Sequence, residues 1–473
     1  MLTCRTPWRC PTRKHLILGF RKRSEGIRVG HLRGCPKRIP SERFPDSRQP
    51  PTMSSKPTSE ISFFQSHPLS MRVLLLTNLI YGLVMPIIEL FVGAYIMRNS
   101  SDISLVVIFQ LAVYTGIPTT FLINGYLLRR VPISRLYSLG MLLSGVSMTA
   151  MMMLNELNTA GVFFAGLIMG LSYGFFWANR DFLALNTTND GNRNYYYGIE
   201  TFFYTMTGIL VPFCAGAFIA ATQKNGWFSG NVNFAYYILT GCVFALTIVA
   251  SVLVHRGGFQ NPKNAPFLFF NFDRLWNKML GLAALKGVAQ GYIVTAPTML
   301  ILTLVGKEGS LGLIQSIGAL LSAILLYILG RVTGPKHRLL IYGIGCSLFV
   351  LGALFNAGMY SALGVILFMT CLLFARPLLD IAYFPVQLKV IDVMAEIEKR
   401  NEFAYIFNHE LGLYVGRLFG CGLFIALAWY VSEYAALRFA LLVIAVVHLM
   451  GWFVMRNILN DPTMKQGTVE NPG

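Results

Sequence analysis

An all-α polytopic membrane protein with twelve spanning helices is the fold class this sequence predicts, and three observations predict it. Only 13% of the 473 residues are charged and 55% are hydrophobic, whereas a soluble domain carries about 25% charged residues. Apolar runs close to the roughly 20 residues that cross a bilayer recur from Met71 to Met455. The loops between them alternate between Lys/Arg-rich and Lys/Arg-poor. Helices fit such runs because backbone exposed to lipid must satisfy its own hydrogen bonds.

The spans fall at approximately 72–97, 103–128, 134–154, 160–185, 195–221, 233–255, 278–304, 310–330, 338–358, 361–386, 404–430 and 435–457. One set of loops holds Arg129, Arg130 and Arg135, then Arg193, then Arg256, Lys263, Arg274 and Lys278, then Arg331, Lys336 and Arg338, and finally Lys399 and Arg400. The other set holds little beyond Arg98, Lys224 and Lys307. The positive-inside rule makes the basic side cytoplasmic, with both termini inside.

Net charge is +18, but ten of those charges lie in residues 1–52, where thirteen Lys/Arg face three Asp/Glu. That stretch is rich in Pro and has no long apolar run. Leu16–Phe20 is too short for a signal-peptide core. It reads as a basic disordered tail or a mis-assigned start, with translation beginning at Met53. This concentration argues against nucleic acid as partner. The eight cysteines form no C-x-x-C pair and read as small packing residues. No metal-ligand spacing and no catalytic motif is present: there is no His-Glu-x-x-His, Gly-x-Ser-x-Gly or phosphate loop.

A duplication is visible. Arg130-Val131 follows the second span and Arg331-Val332 the eighth. Arg193-Asn194 opens the fifth span, which reaches Cys214; Arg400-Asn401 opens the eleventh, which reaches Cys421. Gly82 in the first span matches Gly291 in the seventh. The expected organisation is a leader at 53–71, a six-helix bundle at 72–255, a central cytosolic loop at 256–277, a second bundle at 278–457 and a tail at 458–473. The central loop carries Phe267, Phe269, Phe270 and Trp276 and reads as an amphipathic segment on the membrane surface.

From Met71 to Asn460 the chain resembles the major facilitator superfamily. The loop Gly125-Tyr-Leu-Leu-Arg129-Arg130-Val-Pro-Ile-Ser-Arg135 is similar to that family's Gly-x-x-x-Asp-Arg-x-Gly-Arg-Arg signature, without the Asp and with Pro132 near the Gly position. The run Gly170-Leu-Ser-Tyr-Gly174-Phe-Phe-Trp177 resembles poorly characterised bacterial members. No motif of the sugar, peptide, nitrate or drug-exporter branches is present. The resemblance implies a secondary carrier working by alternating access, monomeric, in the cytoplasmic membrane of a bacterium. Its partners are then a small solute, H+ and the bilayer, with no cofactor.

An ionisable group inside a span costs at least about 2.5 kcal/mol and needs a reason. Glu89 lies three residues after Pro86, a helix-loosening residue, and the resemblance places the first helix along the cavity. A proton-coupled carrier needs such a carboxyl, although an acid paired or solvated at the outer interface fits the same residues. Arg417 lies deep in the eleventh span with Glu410 two turns earlier, either an anion site or an internal pair. Lys286 and Gln290 share a face at i and i+4, with Gln110, Gln315, Asn408 and His409 as further polar candidates for the substrate or proton pathway or as interhelical glue. Gate candidates at the cytosolic side are Arg129, Arg130, Arg180, Asp181, Glu200, Arg376 and Asp380, expected to form salt bridges across the halves or to be interfacial charges. His448 is expected to face lipid or scaffold, and Tyr195-Tyr196-Tyr197 to form an interfacial belt. The alternatives are a proton-driven drug or metabolite exporter, a transport-dead sensor or receptor, and a membrane-embedded enzyme.

Overall fold

The computed structural model describes residues 60–188, 192–227, 231–261, 268–269, 271–306, 308–332, 335–400 and 402–466. The basic tail, the start at Met53, and Lys263, Phe267, Phe270, Lys307 and Asn401 lie outside them. Twelve helices of spanning length follow in order. They are α1 Leu69–Asn99, α2 Ser104–Leu127, α3 Ile133–Met152, α4 Thr159–Thr187, α5 Arg193–Lys224 and α6 Asn233–Val254, then α7 Arg274–Val305, α8 Glu308–Val332, α9 Arg338–Met359, α10 Ala362–Glu398, α11 Glu402–Tyr430 and α12 Glu433–Leu459. Among the described residues eleven contain a stretch apolar enough to cross a membrane by composition. α3 is the exception: it carries Ser138, Ser144 and Ser147 with their side chains buried in protein. Two of these hydroxyls donate to carbonyls, Ser144 to Met141 and Ser147 to Ala165, both at 2.7 Å.

Helix contacts repeat between the two halves. The pairs α1–α5, α2–α4, α3–α4 and α3–α6 recur as α7–α11, α8–α10, α9–α10 and α9–α12, and α2–α11 and α5–α8 join the halves. Glycine makes the close seams. On α4, Gly166, Gly170 and Gly174 repeat every fourth residue against α2, and a Cβ on Gly116 would fall 2.7 Å from the Gly170 Cα. On α11, Gly416 and Gly420 face Gly287 and Gly291 of α7, with Gly416 pressed onto the Ala284 carbonyl. Gly416→Ala is therefore expected to cost about 1–3 kcal/mol through overpacking, read as a lower melting temperature of the detergent-solubilised protein. An unchanged melting curve would show that the seam has slack.

Two elements depart from expectation. α10 runs to Glu398 rather than ending near 386, with Pro377 and Pro385 inside it. Beyond the apolar stretch its residues are amphipathic, burying Val390, Ile391 and Met394 while Glu396 and Ile397 are exposed, so helix outlasts hydrophobicity. Trp276, expected on the membrane surface, lies in the first turn of α7 fully buried, and its indole donates to Asn408 at 2.8 Å. Past α12, Asp461 accepts from Lys278 at 2.6 Å, and this ammonium holds its carboxyl below the usual range.

Candidate functional site

Pro86 has no amide hydrogen to donate, and just after it the ladder of α1 widens into a π turn over Ile87–Phe91. Glu89 stands in the middle of that turn. α7 is interrupted similarly: its ladder breaks at Val294–Thr295, Pro297 follows, and a second π turn spans Ile301–Val305. Such turns concentrate at functional sites because they re-aim side chains without ending the helix.

Three cavities meet at this level. The first, about 230 Å3, is lined by Glu89, Gln110, Tyr114, Trp177, Gln290 and Arg417 among others. The second, about 550 Å3, lies among α1, α5, α7, α8 and α10 and has Glu89, Gln315 and Arg376 in its wall. The third, about 240 Å3, lies within the second half beside Lys286, Gln290, Arg376, Asp380, Tyr383 and His448. Glu89 thus borders the first two, Arg376 the last two, and Val294 all three.

The charges around these cavities pair unequally. Arg417 forms an ion pair with Glu410, donates to Gln290 Oε1 at 3.1 Å from Nε and 2.9 Å from Nη2, and lies 4.6 Å from the Tyr114 ring centre. Tyr114 in turn donates to the Gln290 carbonyl at 2.9 Å, so α2 of one half is tied to α7 and α11 of the other. Lys286 bonds Asp380 at 2.9 Å, with Nζ 4.0 and 3.9 Å from the ring centres of Tyr383 and Phe384. His409 is buried and bonded to the Tyr383 hydroxyl at 2.7 Å. Two charges remain. Among the described residues Glu89 and Arg376 stand in no ion pair; Arg376 donates from Nη2 to the Ile293 carbonyl at 2.7 Å. Of the gate candidates Arg376 and Asp380, the carboxylate is taken by Lys286 within the second half, so it makes no bridge to the first.

The gate residues predicted at the basic end do not bridge the halves. Arg180 pairs with Asp181 at 2.7 Å and with Glu200, all within α4 and α5. Glu200 is buried and also accepts from Asn78 at 2.7 Å and Tyr196 at 3.0 Å. Tyr196 is consequently a core residue, not part of a belt. Arg129 and Arg130 are exposed at the α2–α3 turn, Arg129 beside the Tyr126 ring. That turn is clipped by Asn261, which accepts from the Ile133 amide at 2.7 Å and donates to the carbonyls of Leu128 at 2.8 Å and Val131 at 3.0 Å. Asn408 is taken up by Trp276. His448 is buried with Nδ1 on the Leu285 carbonyl at 3.1 Å and borders the third cavity instead of lipid.

The ionic bridge between halves lies at the opposite end and was not anticipated. Arg98 of α1 pairs with Glu308 of α8, which also accepts from Tyr236 at 3.2 Å. Nearby, Trp429 of α11 donates to Ser104 of α2 at 2.9 Å. Gly93 of α1 sits where a Cβ would be 3.4 Å from Thr298 of α7. These partners lie far apart in sequence, 210 residues for Arg98 and Glu308, so no local pattern signals them.

The sequence model of the Major Facilitator Superfamily matches residues 73–408. The chain belongs to that superfamily. As a Major Facilitator protein it is a multi-pass membrane transporter, and the enzyme alternative falls away. It is 21% identical over 400 residues to the uncharacterized protein YqgE of Bacillus subtilis (strain 168), covering 83% of this chain and 91% of that one. Among solved structures it is similar to the peptide transporter POT in complex with sulfate (13% identity, TM-score 0.61, covering 85% of this chain and 99% of that one). It is similar to the same degree to a bacterial homologue of the iron transporter ferroportin in an inward-facing state (14%, TM-score 0.61, covering 83% and 99%). At these identities the likeness shows the shared Major Facilitator fold.

Proposed function

We propose that this secondary transporter is a proton-coupled carrier of a small solute, with the solute path running through the three cavities and Glu89 as the coupling acid. The observation that carries the reading is Glu89 itself: an acid on a π turn, outside any ion pair among the described residues, bordering two cavities between the halves. An acid already held by an Arg or Lys gains little by taking a proton, whereas one facing a cavity can bind and release it as access alternates. We read residues 72–255 and 278–457 as the two moving bundles and the basic end as cytoplasmic, in a bacterial inner membrane with both termini inside. The Arg98–Glu308 contact then closes the outer side, and the cavities belong to an inward-facing state.

The test is a solute screen in proteoliposomes with and without an imposed pH gradient. A solute whose uptake follows the gradient supports the reading; fluxes indifferent to pH for every transported solute refute the coupling. Orientation is checked separately. Single cysteines beside Lys224 and beside Lys336, in a cysteine-free protein, are expected to label from opposite sides, and labelling of both from outside would overturn the topology.

A further inference from the structure

The largest cavity near Glu89 is not shaped for a polar solute. Its volume of about 550 Å3 falls within the roughly 300–1,000 Å3 of small-molecule sites. Away from Glu89, Gln315 and Arg376 its wall is mostly apolar, from α1, α5, α7, α8 and α10; the hydroxyls of Ser322 and Thr370 also line it but donate to the Leu373 and Ile366 carbonyls. On α8 and α10, Ile317, Leu321, Ile366 and Phe374 are each at least 40% exposed, so this wall is not closed core; on spanning helices such surface is open to lipid as well as to the cavity. Gly318 leaves room beside Leu373, its added Cβ meeting nothing nearer than 3.5 Å.

Arg376 stands in the wall that this cavity shares with the third. Arg417 and Lys286 are each occupied by a carboxylate, Glu410 and Asp380. Among the described residues Arg376 stands in no ion pair and donates to the Ile293 carbonyl. The six charges around the cavities are Glu89, Asp380 and Glu410 against Lys286, Arg376 and Arg417, and they cancel only while Glu89 is ionised. Once Glu89 takes a proton the site carries one uncompensated positive charge, centred on Arg376. An apolar groove ending in a single guanidinium complements one kind of molecule.

We propose that the solute is an amphipathic organic monoanion, its anionic head on Arg376 and its apolar tail in the groove between α8 and α10. This rests on the proton-coupled reading for transport but not for binding. Loading the anion together with a proton on Glu89 returns the site to neutrality, so the pair crosses without net charge. A guanidinium suits the role because it offers several parallel donors to a carboxylate or similar head and stays charged when desolvated.

The test is equilibrium binding to the full chain in nanodiscs, corrected for empty nanodiscs. The probes are straight-chain carboxylates of two to twelve carbons, with alkylamines and alcohols of matching length. On the wild type, decanoate is expected to bind at least tenfold tighter than decylamine or decanol. Affinity should rise about two- to fourfold per methylene, up to the about 0.8 kcal/mol of a fully buried CH2, until the groove is filled. Arg376→Gln should erase the preference for the anion while keeping the chain-length dependence, and Arg376→Lys should keep part of the preference. Equal binding of amine and carboxylate, indifference to chain length, or an unchanged anion preference in Arg376→Gln would each overturn the proposal. If binding behaves as expected while no carboxylate is moved by a pH gradient, the coupling assigned to Glu89 fails and the binding assignment stands.

Discussion

Glu89→Gln is expected to abolish uphill accumulation while leaving exchange of solute across the membrane intact. The amide keeps the shape of the protonated carboxyl and removes the acid that, among the described residues, stands unpaired at the meeting point of the first two cavities. A carrier locked in its protonated form can load, turn over and release solute in either direction, but it no longer couples that cycle to a proton. In proteoliposomes with an inward proton gradient, the steady-state ratio of inside to outside solute should fall from tenfold or more to about one. Counterflow should remain within about threefold of wild type. Concentration by the variant at the wild-type level would move the coupling to Asp380 or Glu410, or remove it altogether. Both of those acids are already engaged, by Lys286 and by Arg417, so either would have to exchange a partner to take a proton.

Glu308→Gln should open the end of the molecule opposite the basic loops. Glu308 is only 5% exposed and receives both Arg98 and Tyr236. Stripping one partner from a buried pair costs about 3–5 kcal/mol. Arg98 keeps some contact with solvent, so the lower end of that range, or somewhat less, applies. Each 1.4 kcal/mol is a factor of about ten in a two-state ratio, and parting the halves at this end would break the pair. A cysteine at Thr298, buried beneath the bridge and bordering the first cavity, should therefore react at least tenfold faster with an impermeant reagent from that side. The exchange Arg98→Glu with Glu308→Arg should bring the rate back toward wild type. If Thr298→Cys is labelled at the same rate in all three backgrounds, the pair does not hold the halves together.

What the sequence made legible was what lies along one helix. The spans follow from unbroken apolar runs, and the Glu410–Arg417 pair joins residues two turns apart on α11. Glu89 stood out as an acid three residues after a proline in an apolar run, and the structure sets it on the π turn that follows Pro86. The ends of helices were less legible, since α10 leaves its apolar stretch as an amphipathic helix that hydropathy does not distinguish from a loop. Least legible was partner choice between helices. Asp380 was expected at a gate between the halves, yet Lys286 of its own half takes it, and nothing local ranks that partner, 94 residues away, above one on the other half. Tyr196 and Trp276 looked interfacial because aromatic residues near span ends often are. Their hydrogen bonds to Glu200 and Asn408 instead tie them into the core.

The clip at the α2–α3 turn is made of one amide side chain and three backbone groups, and none of them carries charge. The bridge at the other end of the molecule is an ion pair with a partly exposed Arg98. Dissolved salt weakens the second kind of contact and scarcely touches the first. A rise in ionic strength thus loosens the bridge between the halves and leaves the clip within the first half as it was. The balance between its two access states should then drift with the salinity of a single compartment, the one bathing Arg98.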